Sequence, residues 1–207
     1  MERRGDLLPF PAAREDEIMA RPRKDSAEPS ARERLLGAFW ELLAEMPYES
    51  ITVAALIGRA KVSPNTLYSH FGSYRGVVRS ALDEVLDPRL LPMLVSGMEA
   101  EDASHAAATA ERLDKVILFA SDGSGELSSM LKEALLEIWL RSLRLSKEGL
   151  APLEEAELDF IFAGVVSMLS DRSAAKLASD KELMREFFQR PLGSGMLSTI
   201  DSLRLKT

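Results

Sequence analysis

The chain has 207 residues, 46% hydrophobic and 29% charged, enough to bury a core in one domain or two small ones. It has no cysteine, which excludes disulfides and thiolate metal sites, and only two histidines, His70 and His105, too few for the usual zinc sites. The net charge of −7 argues against uniform affinity for nucleic acid, and no apolar run approaches the roughly 20 residues of a membrane span.

The charge is uneven. Residues 30–80 carry six Lys/Arg against four Glu, a net of +2, residues 1–29 a net of −1, and the remainder −8. A small, mildly basic unit joined to a larger acidic one suggests two jobs. Residues 1–29 hold four prolines (Pro9, Pro11, Pro22, Pro29), many charges and little periodicity, and read as a mobile arm without a signal-peptide core. A cytoplasmic protein is expected.

Order is expected from Ser30. "SARE" sets a serine three residues before Glu33, the pattern of a capping box. Leu35, Leu36, Phe39, Trp40, Leu43 and Met46 follow at helical spacing until Pro47. Thr52 caps a short helix whose apolar face is Val53, Leu56, Ile57 and Ala60. "SPNT" starts the next, with Ser63 as cap and Pro64 at the first helical position, and that helix ends near Gly72. Ser73 caps a fourth helix, "YRGVVRSALDEVL", interrupted by Pro88. Beyond Pro92 further helices are expected near 107–121, 126–147, 152–171 and 180–190, with a last piece near 195–204. "SDGSGE" and "KEGLAP" are the clearest breaks. No alternating pattern of useful length appears, so the fold class is all-α.

Two short helices across a tight turn, "TVAALIGRA-KVS-PNTLYSHF", form a helix-turn-helix pattern, in which the second helix enters the major groove and the first crosses the backbone. Leu67 and Phe71 would anchor the second helix, leaving Asn65, Thr66, Tyr68 and His70 to face DNA. Asn can read adenine with two hydrogen bonds, and Thr can contact a thymine methyl. Small groups at the helix start, where Ser63 is the cap, let the helix approach, and its positive dipole end can meet a phosphate.

The run "ITVAALIGRAKVSPNTLYSHFGSYRGVV" resembles the DNA-binding domain of TetR-family transcriptional regulators over about residues 30–80. The likeness rests on Thr52, the "VS" turn, the "TLYSHF" run and the following Ser-led helix. It implies a three-helix DNA-binding domain at 30–75, followed by a helical ligand-binding and dimerisation domain at 76–207. It implies a dimeric regulator, a repressor, whose last two long helices pair with those of a second subunit and whose ligand shifts the spacing of two recognition helices. The chain departs from the family pattern at four places. Lys61 stands where the family has Gly in the turn, at a cost of about 1 kcal/mol if φ is positive there, and would add a phosphate contact. Asn65 replaces a frequent Gly, so its base contact rests on chemistry alone. Tyr74 replaces a common Lys and keeps its phosphate contact only in part, and Arg75 replaces an acid and would restore the charge. Thr52, Lys61, Tyr74 and Arg75 are the expected phosphate contacts.

Other signals read blandly. His105 sits in a polar stretch, "EDASHAAATA", expected as loop. Glu154-Glu155 suit a solvated helix start. "GSG" at 193–195 lacks the strand and Lys of a phosphate loop. Ser121 and Ser124 have no histidine at any predictable position, so no nucleophile–base pair can be named and an enzyme is not expected. No cofactor or metal is expected.

In the acidic part, Met93, Met98, Phe119, Met130, Leu135, Trp139, Phe160, Phe162 and Met168 are core by default, with Phe119, Met130, Leu135 and Trp139 the expected lining of a site for a small apolar effector. Glu133 and Glu137 fall on the solvent face. "LDFIFAGVVSMLS" puts Leu158, Ile161, Val165 and Leu169 on one stripe and Phe162 and Val166 on another, an arc too wide for one partner. Leu158, Ile161, Phe162, Val165 and Leu169, with segment 180–204, are therefore expected at a two-fold subunit contact. The expected partners are a palindromic duplex operator, a second copy and a small hydrophobic effector, with no membrane. The rival expectation is a DNA-binding structural or protein-recruiting module without an effector.

Overall fold

The computed structural model describes residues 28–86, 103–142, 144–171 and 180–204. The expected arm at 1–29, apart from its last two residues, the break at Pro88, and Met93 and Met98 lie outside them. Among the described residues every regular element is helical, as the all-α reading requires.

Local capping explains why the first four helices begin where they do. Helix α1 (Ala31–Glu45) starts with both halves of the box: Ser30 Oγ accepts from the Glu33 N–H at 3.2 Å, and the Glu33 carboxylate accepts from the Ser30 N–H at 2.7 Å. Hydrogen bonding to Ser30 holds the Glu33 carboxyl below its ordinary range. After Pro47 a 3₁₀ turn (Tyr48–Ser50) leads to α2 (Val53–Ala60), capped by Thr52, whose Oγ1 accepts from the Ala55 N–H at 3.1 Å. Ser63 caps α3 (Pro64–Phe71) and Ser73 caps α4 (Tyr74–Val85) in the same way.

The other described helices are α5 (Ala103–Ser121), α6 (Gly125–Ser142), α7 (Pro152–Ser170), α8 (Lys181–Gln189) and α9 (Pro191–Arg204). α5 begins earlier than expected and takes in His105, because "AAATA" is built mostly of the strongest helix former. α6 stops at Ser142, short of the expected 147, in a turn where Arg144 has a φ of 56° and the Leu145 N–H reaches back to the Leu140 carbonyl at 2.9 Å. "GSG" at 193–195 lies within α9.

α1 packs on α2, α3 and α4, and also on α5. α4 packs on α1 and α3 on one side and on α5 and α6 on the other. It therefore belongs to both of the expected domains, and a boundary at residue 75 or 76 cuts across shared packing. α5, α6 and α7 pack on one another, α8 pairs with α9, and Leu203 of α9 is buried in the common core.

Phe119, expected at an effector site, is fully buried against Phe39 and Trp40 of α1, with ring centroids 6.4 and 6.1 Å away. It joins α5 to the first helix. Met130 and Leu135 are likewise buried in the core.

The stripe expected at a subunit contact packs inside its own chain. Leu158, Ile161, Phe162 and Leu169 are buried within their own chain, and Val165 is half-buried against the core. The reason is the position of α7, which packs on both α5 and α6. The exposed face of α7 carries Leu153, Ala156, Phe160, Ala163 and Gly164, with Phe160 74% exposed.

A core shared by both halves should unfold as one. Phe119→Ala removes a ring at the centre of that core and should cost about 3–5 kcal/mol. Urea denaturation followed by circular dichroism checks this: the midpoint should fall while the single transition is kept.

Candidate nucleic-acid interface

α3 is two turns long, with Leu67 fully buried and Phe71 half-buried beneath it. Asn65, Tyr68, Ser69 and His70 are exposed, and Tyr68 is 51% exposed. Thr66 is half-buried. Its Oγ1 lies 2.9 Å from Ser63 Oγ, so these two hydroxyls satisfy each other, and Ser63 also accepts from the Thr66 N–H. Asn65, Tyr68 and His70 thus stand together on one open surface, with Thr66 at its edge.

The turn between α2 and α3 explains the absent glycine. Lys61 adopts a left-handed conformation, with φ 53° and ψ 49°. The Val62 N–H bonds to the Ile57 carbonyl at 3.1 Å and the Lys61 N–H to the Gly58 carbonyl at 3.3 Å, the pair of bonds that closes a Schellman motif. Lysine tolerates that conformation at about 1 kcal/mol relative to glycine. In return its side chain sits exposed beside the start of α3, with no ion-pair partner among the described residues.

The arginines differ. Arg59 contacts Glu41 at 3.2 Å and Glu45 at 2.6 Å, and these bonds hold the Glu45 carboxyl below its ordinary range. Arg32 pairs with Glu84 and lies over the Phe71 ring, and Arg79 pairs with Asp83 and Glu137. Glu137 is therefore held at the junction of α4 and α6 and does not merely face solvent. Arg75, an expected phosphate contact, pairs with Glu126 of α6 at 3.1 Å.

Tyr74 is also redirected. Its ring stacks on Tyr48 with centroids 5.9 Å apart, and its hydroxyl is buried with no hydrogen-bond partner among the described residues. It faces inward and presents nothing to a phosphate. Around this stack sits a junction that sequence reasoning missed: Asp122 of the α5–α6 turn accepts from the Tyr48 N–H at 2.8 Å, and Glu126 lies nearby. No short-range pattern could have paired residues 74 apart.

A groove of about 400 Å³ opens between α1, α4 and α5 over Leu36, Gly37, Trp40 and Val85. Its carboxylates are already engaged, Glu33 by Ser30, Glu84 by Arg32 and Glu111 by Lys115, so they leave little for a charged ligand. None of Phe119, Met130, Leu135 and Trp139 lines it. Among the described residues no group of His, Asp and Glu could hold a metal ion, and no helix is long and apolar enough to cross a membrane.

Burial, aided by the Glu126 carboxylate, pushes the Tyr48 phenol up to about 12, and burial beside Tyr48 raises Tyr74 as well. Folding thus favours the neutral phenols. The stability they contribute is complete below the ordinary value of 10 and is lost as pH rises through about 12. Thermal melts across that window should show a steep loss of stability in the wild type and a shallower one in Tyr48→Phe.

No curated protein matches the chain. Residues 35–81, which span α1 to α4 up to Ala81, match the family described as bacterial regulatory proteins, tetR family. The matched span contains the Thr52 and Ser63 caps, the Lys61 turn and the exposed face of α3, so residues 35–81 are a tetR-family DNA-binding domain, which supports a DNA-binding transcriptional regulator of that family.

Proposed function

We propose that the chain is a homodimeric, cytoplasmic repressor that reads a palindromic operator through α3 and leaves it when a small, mainly apolar effector binds. The observation that carries the reading is α3 itself, where Leu67 is fully buried and Asn65, Tyr68 and His70 are held exposed on a capped helix of two turns. Asn65 suits adenine, Thr66 a thymine methyl, and Tyr68 and His70 offer further polar contacts to bases or phosphates. Thr52, Ser63 and Lys61 are the proposed phosphate contacts, with Arg75 considered below. A dimer of this kind needs its two recognition helices about 34–36 Å apart or a multiple of that spacing.

Self-association is supported by the apolar surface left uncovered. Leu153 and Phe160 on α7 are 70% and 74% exposed, and Leu183 and Leu192 of the α8–α9 pair are exposed as well. Ala156, Ala163 and Gly164 flank Phe160 and would let a second helix approach closely. This face replaces the buried stripe as the proposed contact.

Of the four residues expected to line an effector site, Trp139 keeps an unmet need. It is half-buried at the edge of the Phe162 ring, and its indole N–H is buried without an acceptor among the described residues. An effector that is mostly apolar and carries one hydrogen-bond acceptor would satisfy it. The close burial of Phe119, Met130 and Leu135 favours the second reading, a DNA-binding module without an effector. That second reading holds if no apolar compound that quenches Trp139 releases a bound operator.

The reading is tested by selecting duplexes from a random pool and measuring binding of variants to the selected sequence. Asn65→Ala should weaken the selected duplex by roughly 1–3 kcal/mol and spare mixed sequence. Lys61→Gly should weaken all DNA alike, flatten the salt slope by about one, and raise folding stability by about 1 kcal/mol. Failure to select any sequence would sink the proposal. For the assembly, Phe160→Glu should yield monomers by sedimentation with little loss of helix content. A wild type that sediments as a monomer at micromolar concentration would defeat the dimer.

A further inference from the structure

We infer that Glu126 is an internal competitor of DNA for Arg75, so that the C-terminal half holds back one cation of the binding face until a phosphate displaces it. The inference rests on the reading of α2 and α3 as a DNA-binding unit and adds a regulatory contact to it. Arg75 is the second residue of α4, just beyond α3, and Glu126 is in the first turn of α6. Their side chains meet at 3.1 Å across 51 residues of sequence.

Among the four paired arginines near α3, Arg75 is the one placed to exchange. Arg59 is gripped by two carboxylates, Arg79 by two, and Arg32 by Glu84 and the Phe71 ring. Arg75 contacts a single carboxylate, and its side chain is 60% exposed, against 46% for Arg32, 34% for Arg59 and 33% for Arg79. A guanidinium offers a carboxylate and a phosphate the same forked donors. A solvent-exposed pair is weak enough for a phosphate to replace its carboxylate. The neighbouring Tyr74 cannot serve in its place, because its hydroxyl is buried. Asp122, beside Glu126, is held by the Tyr48 N–H and contributes a second negative charge at the same corner. Phosphate that captures Arg75 therefore pulls α4 away from a carboxylate of the other half, and anything that tightens the pair disfavours DNA.

The test uses the full chain and a mixed-sequence duplex at low salt, since phosphate contacts do not depend on sequence. Glu126→Gln keeps the shape and removes the charge. It should tighten binding by up to about fivefold, the range of a freed surface pair, and steepen the dependence of log affinity on log salt by about one. The gain should vanish when Arg75→Ala is added. Unchanged or weaker binding by Glu126→Gln overturns the inference. So does an equal gain in the Arg75→Ala background, which would assign Glu126 to general repulsion of DNA. A folded wild type that binds neither mixed-sequence nor selected duplex would instead overturn the DNA-binding reading beneath it, and the wild-type measurement alone tells the two failures apart.

Discussion

The contact of Phe39 and Trp40 with Phe119 constrains everything else in the molecule. These rings come from α1 and α5, meet edge-on or tilted, and are close to fully buried. A close-packed core does not deform continuously: moving one ring either opens a void or forces its neighbours to repack. α1 in turn packs on α2, α3 and α4. The orientation of the exposed face of α3 relative to α5–α7 is thus set by packing of α1 and α4 on α5 and α6. Any rearrangement that moves α5 against α1 must repack those rings, at the free-energy cost of doing so.

Electrostatics adds a second constraint. The basic surplus of residues 30–80 is modest, and most of its arginines are neutralised within the chain. Two of those pairs, Arg75–Glu126 and Arg79–Glu137, cross to the acidic half. The uneven charge seen in the sequence is therefore partly compensated at the interface between the halves. Lys61 is a basic group near α3 with no carboxylate partner among the described residues. In a protein that binds DNA, phosphate contacts from such cations position the protein, and base contacts carry the sequence discrimination.

The legible parts of the fold are the local ones. Ser30, Thr52, Ser63 and Ser73 were readable as caps because each accepts from a backbone N–H only three residues on. The exposure of Asn65, Tyr68 and His70 followed from the Leu67/Phe71 spacing for the same reason. What stayed hidden involves distant partners. Tyr74 points inward because Tyr48 offers it a ring, and Arg75 meets Glu126 because the α5–α6 turn comes back to α4. Periodicity revealed that α7 is apolar over a wide arc. It does not say which side faces α5 and α6: in the fold Leu158, Phe162 and Leu169 are buried and Phe160 is exposed. Nothing in the stretch around Phe119 announces its packing on Phe39 and Trp40, which are about 80 residues away.

α3 itself would not persist alone, since eight residues are far fewer than an isolated helix needs in water. Its stability comes from Leu67 beneath it, from Arg32 over Phe71, and from the start of α4 at its C-terminus. The last contact is unusually close. A Cβ on Gly76 would fall on the Phe71 carbonyl, so the first turn of α4 can press against the end of α3 only with glycine there. Gly76 has no positive φ, so it is the lack of a side chain that the fold uses, not conformational freedom. The same turn of α4 carries Tyr74 in its stack and Arg75 in its pair. The start of α4 thus holds the reading surface in place and ties it to the acidic half, and displacing it would disturb both at once.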